Sequence, residues 1–300
     1  MGERARRARK APRALKTARA PLLLAASCAL LLAAACASGG SSSQGSSSYP
    51  WNAEWKVVFE EDFSGAELDA ASWTAITRGG NWNEENQAYD PGNAYLADGE
   101  LILRSEKKTW TGPVNNPHHP DAQLGTVTRE YVSAQVESRG KKSWLYGRFE
   151  CMARMETTHG MLNAIWMCAE DGSWPPEIDI AELLGNEPWK LYATNHYGGQ
   201  GANHRMNGGS VERDYSLSDG YRLYGVEWEP NEIRWYLDGE LIHRSTDGVP
   251  AKAMYFILCP AIGPAWTGDP DEASSFPLEM RVDYVRISQR IAEEDEEAGL

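Results

Sequence analysis

From Trp51 to Gln289 the chain alternates apolar and polar residues in short runs, each closed by Gly, Pro, Asn or Asp. In an extended strand successive side chains point to opposite faces, so each run predicts a strand with one buried face. The runs WKVVFEEDF, AYLADGELILRSE, YVSAQVESRG, YGRFECMARM and MLNAIWMCAE come first. LYATNHYG, YRLYGVEWEP, EIRWYLDGELIHR, AMYFILCPA and LEMRVDYVRIS follow. ADGEL (Ala97 to Leu101) and LDGEL (Leu237 to Leu241) carry the Asp-Gly pair of a tight hairpin. Helical periodicity is nearly absent apart from a short turn near Asp69 to Trp73. Many strands at short spacing, with no linker among them, predict one all-β domain of roughly 240 residues, a sandwich or a barrel.

One run breaks its own parity. WPPEIDIAELLG, Trp174 to Gly185, holds Glu177, Asp179 and Glu182. Glu177 and Asp179 share a face, whereas Glu182, five residues after Glu177, falls on the other. A β-bulge with one extra residue between Asp179 and Glu182 would restore a common face, and bulges occur beside active sites because they re-aim a side chain. Three carboxylates on one face repel one another, and a strand tolerates that where function or a bound cation offsets the repulsion. Two of them would suit glycoside hydrolysis, with one carboxylate attacking and one acid protonating the leaving oxygen; a third can tune both. On the pattern alone, catalysis, calcium binding and a solvated acidic face all stay open.

The first 35 residues differ in kind. Eight Lys or Arg and one Glu precede and flank the apolar run PLLLAASCALLLAAAC, which is short for a membrane span and reads as a bacterial export signal. LAAAC resembles a lipoprotein signal, implying lipidation of Cys36. Cys28 after LAAS is a weaker rival, and ordinary secretion is the alternative. Residues 36–50 then form a Gly/Ser-rich tether. Without residues 1–35 the net charge falls from −14 to −21, which disfavours nucleic acid and anionic lipid as partners and leaves a lipid anchor as the one route to a membrane. The expected place is the bacterial envelope or the medium, and the expected state a monomer. Residues 290–300 read as an acidic tail.

Cys151, Cys168 and Cys259 lack metal-ligand spacing and read as buried thiols, with a Cys151–Cys168 bridge as the minor alternative. His118-His119 lies in a Pro/Asn loop and reads as surface. Twelve tryptophans suit a core or a sugar-stacking surface, and composition does not separate the two.

EIDIAE, together with WKVVFEEDFSGAELDAASW, NEENQAYDPGNAYLADGELIL, GMLNAIWMCAEDGSWPPEIDIAE, YRLYGVEWEPNEIRWYLDGELIH, AIGPAWTG and FPLEMRVDYVRIS, resembles glycoside hydrolase family 16 in block content and order. The similarity is to its bulged E-x-D-x-x-E branch of laminarinases and related β-glucanases, and it covers nearly all of residues 51–289. It implies a β-jelly-roll of two antiparallel sheets with a concave sugar cleft, and hydrolysis of a polysaccharide with retention. By motif position Glu177 would be the nucleophile, Glu182 the general acid/base and Asp179 the helper. Asn86, Trp166, Trp174 and His196 match contacts near the sugar, although Trp166 also suits a core and His196 a structural hydrogen bond. No cofactor is implied for catalysis, but relatives hold a structural calcium, at positions matching Asp62, Gly99 and Asp283. Asn163 and Pro176 depart from the family pattern, where Pro and Gly are common. The resemblance favours β-1,3- or mixed β-1,3/1,4-glucan. A galactanase, a transglycosylase, a non-catalytic glucan-binding protein and a calcium-dependent adhesion sandwich are the competing readings.

Overall fold

A computed structural model describes residues 53–80, 83–115 and 125–291. The expected export signal with Cys36, the expected tether, His118-His119 and all but the start of the expected acidic tail lie outside these residues.

The strands form two sheets. The first has seven, in spatial order His204–Glu212, Lys190–Gly198, Glu177–Leu184, Met161–Ala169, Met254–Ile262, Val136–Glu137 and Thr74–Ala75. The second has ten. Its main row runs Glu240–Ser245, Glu232–Leu237, Arg222–Glu229, Gly147–Met155, Leu278–Arg290, Glu100–Pro113, Thr126–Ser133 and Gln87–Tyr89. Trp55–Glu61 pairs with Leu278–Arg290, and Ala94–Ala97 with Glu100–Pro113. The expected jelly-roll is the fold observed.

Alternation builds the core. In Gly147–Met155, Phe149, Cys151, Ala153 and Met155 are buried, while Arg148, Glu150, Met152 and Arg154 are partly exposed. Those inward residues join Ile165, Met167, Ile178, Leu183, Trp228 and Trp235 in a single apolar cluster fed by both sheets. Each large side chain so buried contributes about 1.5–3 kcal/mol. At both predicted hairpins the central pair adopts the left-handed conformation an Asp-Gly turn requires: Asp98 and Gly99 have φ 57° and 79°, Asp238 and Gly239 have 52° and 82°. Near Asp69 the expected turn forms, with Trp73 N donating to Asp69 O at 2.9 Å.

Two elements differ from the sequence expectation. YVSAQVESRG is not one strand: Thr126–Ser133 belongs to the ten-stranded sheet and Val136–Glu137 to the seven-stranded one. The chain crosses between the layers at Ala134-Gln135, and residues 132–138 are buried throughout. Alternation continues through such a crossing, so the pattern reads as unbroken. His204–Glu212, with two glycines and only Met206 and Val211 apolar, forms an edge strand that its weak apolar content does not announce. The three described cysteines are free and buried, so Cys151 and Cys168 are not bridged.

On the outer face of the ten-stranded sheet charges are matched. Glu227 receives Arg148 and Arg234, and Glu229 receives Arg234 and, at 2.7 Å, Arg290. Arg290 and Arg148 also lie over the Trp55 ring, 4.3 and 5.3 Å from its centroid.

Candidate active site

Glu177–Leu184 runs between Lys190–Gly198 and Met161–Ala169, so its outward side chains look onto the middle of the seven-stranded face. Against Lys190–Gly198 the register reads Glu177 with His196, Asp179 with Thr194, then Glu182 with Tyr192. Three steps on one strand match two on its neighbour. Against Met161–Ala169, Asp179 pairs with Trp166 and Ala181 with Ile165, which locates the extra residue at Ile180-Ala181. Ile178, Ile180, Ala181 and Leu183 all belong to the core cluster. Two consecutive residues thus face inward, and the following position, Glu182, faces outward again with Glu177 and Asp179. The parity conflict in the sequence is a bulge in the structure.

A buried donor marks where the ladder is interrupted. Trp235, fully buried on the opposite sheet, reaches through the core so that its Nε1 donates to the backbone carbonyl of Asp179 at 2.9 Å. Just after the strand, Gly185 packs so closely on Thr158 that an added Cβ would lie 1.6 Å from the Thr158 carbonyl oxygen. Only glycine fits there.

Around the carboxylates the polar contacts are specific. Glu177 Oε2 accepts from Trp174 Nε1 at 2.9 Å and from the Cys168 thiol at 3.4 Å. Glu177 Oε1 lies 3.6 Å from His196 Nε2, and Asp179 Oδ2 lies 3.1 Å from the same nitrogen. The other nitrogen of His196, Nδ1, is 2.9 Å from His204 Nε2. The two imidazoles are 11° from parallel with centroids 5.0 Å apart. That separation, with the nitrogens so close, requires the rings to lie end to end and not face to face, the geometry of an N–H···N bond. Trp174 covers His204, ring centroids 5.1 Å apart.

Burial pushes the Asp179 carboxyl well above the usual carboxylate range, and the neighbouring Glu177 adds to the shift. Glu182 is raised by burial first, then by Asp179 and Glu177, with His196 opposing. Crowded, poorly hydrated carboxyls hold protons that exposed ones release. A carboxyl that holds its proton more tightly than an exposed one, beside two further carboxyls, is suited to general acid catalysis.

Trp166 lies on the same face, directly across from Asp179, its Nε1 donating to Cys259 Sγ at 3.3 Å. Trp174, 38% exposed, keeps a ring face available for stacking. Asn86 is instead tied to the loop after Ile262: its N donates to Ile262 O at 2.7 Å and its Nδ2 to Asp269 Oδ1 at 2.6 Å. Asp62, Gly99 and Asp283 belong to the other sheet. Glu61 pairs with Val285, Leu101 pairs with Val282, and Asp283 occupies the register shift between Val282 and Tyr284. Since Gly147–Met155 fills one side of that strand, the segments carrying Asp62 and Gly99 end on its other side, flanking Asp283. The expected ligands, the Asp62 and Gly99 carbonyls and the Asp283 carboxylate, are oxygen donors of the kind a hard cation takes. Asp62 Oδ1 also accepts from Ser64 N and Oγ, at 3.0 and 2.7 Å.

Sequence reasoning did not single out Cys168, His204 or Trp235 for the site. Cys168 is nine residues before Glu177 and His204 eight after His196, so only the strand register makes them neighbours. The GGQG run between the two histidines is a turn signal that would have suggested the second pair.

A jelly-roll with three outward carboxyls on a bulged strand, lined by tryptophan and histidine, defines a polysaccharide-directed glycoside hydrolase. The sequence profile of glycosyl hydrolases family 16 matches residues 82–286, and the chain belongs to that family. It is 32% identical over 276 residues to a β-glucanase of Rhodothermus marinus, covering 83% of this chain and 90% of that one. It is 30% identical over 261 residues to a glucan endo-1,3-β-glucosidase of Cryptopygus antarcticus, covering 77% and 91%. Among solved structures, the endo-β-1,3-glucanase of Pyrococcus furiosus superposes with a TM-score of 0.70 at 27% identity, covering 81% of this chain and 98% of that one.

Proposed function

We propose that the protein is an exported endo-β-glucanase that hydrolyses β-1,3- or mixed β-1,3/1,4-glucan with retention. The observation that carries this reading is the Ile180-Ala181 bulge, which turns Glu177, Asp179 and Glu182 to one face beside Trp166 and Trp174. The similarity to a β-glucanase and an endo-1,3-β-glucosidase supports the glucan. The basic and apolar first 35 residues support export, with Cys36 as the lipidated residue.

In the first displacement Glu177 attacks the anomeric carbon through Oε1, since Oε2 is occupied by the Trp174 and Cys168 donors. Glu182 gives its proton to the departing glycosidic oxygen. In the second, Glu182 takes a proton from water, which attacks the anomeric carbon and releases Glu177. Asp179 shares the negative charge of the cluster and faces His196 Nε2.

The test is a reducing-end assay over laminarin, lichenan, xyloglucan, agarose and carrageenan, with Glu177→Ser alongside. Turnover of laminarin or lichenan that falls at least about 10²–10⁴-fold in the variant is expected. Turnover confined to agarose or carrageenan would move the assignment to a galactan, and tight binding without turnover to a recognition protein. A proton NMR time course should show the β-anomer first.

A further inference from the structure

We propose that Glu177, Asp179 and His196 form a binding site for a divalent transition cation, with zinc as the fitting probe, and that its occupancy reversibly switches the enzyme off. Among the described residues this is where three ligating side chains gather, each offering an atom within 4.8 Å of the others. The His196 Nε2 to Asp179 Oδ2 and Glu177 Oε1 separations are 3.1 and 3.6 Å. Zinc with ligands at about 2.0–2.2 Å in a tetrahedron sets neighbouring ligand atoms about 3.3–3.6 Å apart. The 3.6 Å separation falls in that range and the 3.1 Å one just below it.

A second observation points to a ligand. Asp179 is 4% exposed, and its Oδ2 has no hydrogen-bond donor even though His196 Nε2 lies 3.1 Å away. A buried carboxylate oxygen without a donor, aimed at an imidazole nitrogen, is arranged as two ligands of one ion would be. Elsewhere on the molecule the gathered carboxylates are answered by arginine, as Glu227 and Glu229 are by Arg148, Arg234 and Arg290. Among the described residues no Arg or Lys forms an ion pair with this set. Behind it, His204 Nε2 can accept the Nδ1 proton of His196, leaving Nε2 as the lone-pair nitrogen that faces the carboxylates. Such an outer partner fixes the tautomer a metal-binding histidine needs. Glu182 is outside the trio, and water would be the fourth ligand.

The inhibitory part of this proposal rests on Glu177 being the nucleophile, since the cation would occupy Oε1; the binding part does not. The full-length protein, freed of metal and kept in calcium, is titrated with ZnCl₂ by calorimetry and, in parallel, assayed on laminarin. One zinc per chain is expected, with activity falling along the same isotherm and returning on addition of a zinc-selective chelator. Glu182→Gln, without activity, should bind zinc as the unaltered protein does. His196→Gln should lose at least about 100-fold in affinity and His204→Gln about 10–100-fold, while Co²⁺ should give the visible spectrum of a tetrahedral site. Absence of a one-to-one binding event overturns the proposal, as does binding that survives His196→Gln. Zinc bound without loss of turnover overturns the switch. A protein that binds zinc but cleaves no glucan keeps the site and discards the proposed substrate.

Discussion

Replacing Trp235 by phenylalanine isolates the contact that holds the bulge. The indole nitrogen is the donor found for the Asp179 carbonyl from across the core, and at 2.9 Å it is a full hydrogen bond. Phenylalanine keeps the apolar ring but strands a buried carbonyl, a penalty of about 1–3 kcal/mol. The smaller ring adds a fraction of the 3–5 kcal/mol that losing a whole aromatic side chain costs, roughly 1–2 kcal/mol. Urea unfolding should therefore show a loss of about 2–5 kcal/mol. Since Asp179 and Glu182 flank the released segment, kcat should drop well beyond what stability explains; a displacement near 1 Å costs on the order of 10²-fold. Trp228→Phe is the matched control: Trp228 is equally buried and its Nε1 donates to the Pro250 carbonyl at 3.0 Å, away from the bulge. It should be destabilised to a similar degree with kcat nearly unchanged. If the two variants have the same kcat, or if Trp235→Phe unfolds like the unaltered protein, the indole does not hold the bulge.

Three further outcomes follow from the same contacts. Glu182→Gln should stabilise the protein increasingly as pH rises: burial and its acidic neighbours raise the folded-state pKa of Glu182, so stability falls as pH climbs from the unfolded value of about 4.3 toward the raised one, and glutamine removes that loss. The difference in melting temperature should be small below pH 4 and positive near neutrality; a flat difference would contradict it. Gly185→Ala should destabilise by more than the ~1 kcal/mol typical of point changes, because the Thr158 carbonyl must move, and equal urea midpoints would count against that close approach. If Asp62, the Gly99 carbonyl and Asp283 hold calcium, EDTA should lower the melting temperature, calcium should restore it, and Asp283→Asn should be insensitive to both.

Much of the fold is legible from alternation and turns. The Asp-Gly hairpins, the long strands and the irregular parity of EIDIAE are local properties, and local backbone rules decide them. What stays hidden depends on register. Cys168 meets Glu177, and His204 meets His196, only after strands far apart in sequence or joined by an unrecognised hairpin are aligned. Gln135 and Ala134 mark a change of layer that alternation cannot signal, since both halves of YVSAQVESRG keep period two. Trp235 reads as one core aromatic among many, and its bond to the Asp179 carbonyl is a tertiary contact between opposite sheets. The Asn86 side chain donates to Asp269, 183 residues on, a contact that no local pattern reveals.

The pairing of Trp55 with Arg290 brings the beginning and end of the fold side by side on the ten-stranded sheet. Anything joined ahead of Trp55, whether a short peptide or a support in the laboratory, is thus moored through the layer that carries no acidic triad. Glu177, Asp179 and Glu182 lie on the other layer, away from that pairing. Joining the two ends and opening the chain at the Asp238-Gly239 turn should give a permuted protein with the same active layer and a new point of attachment.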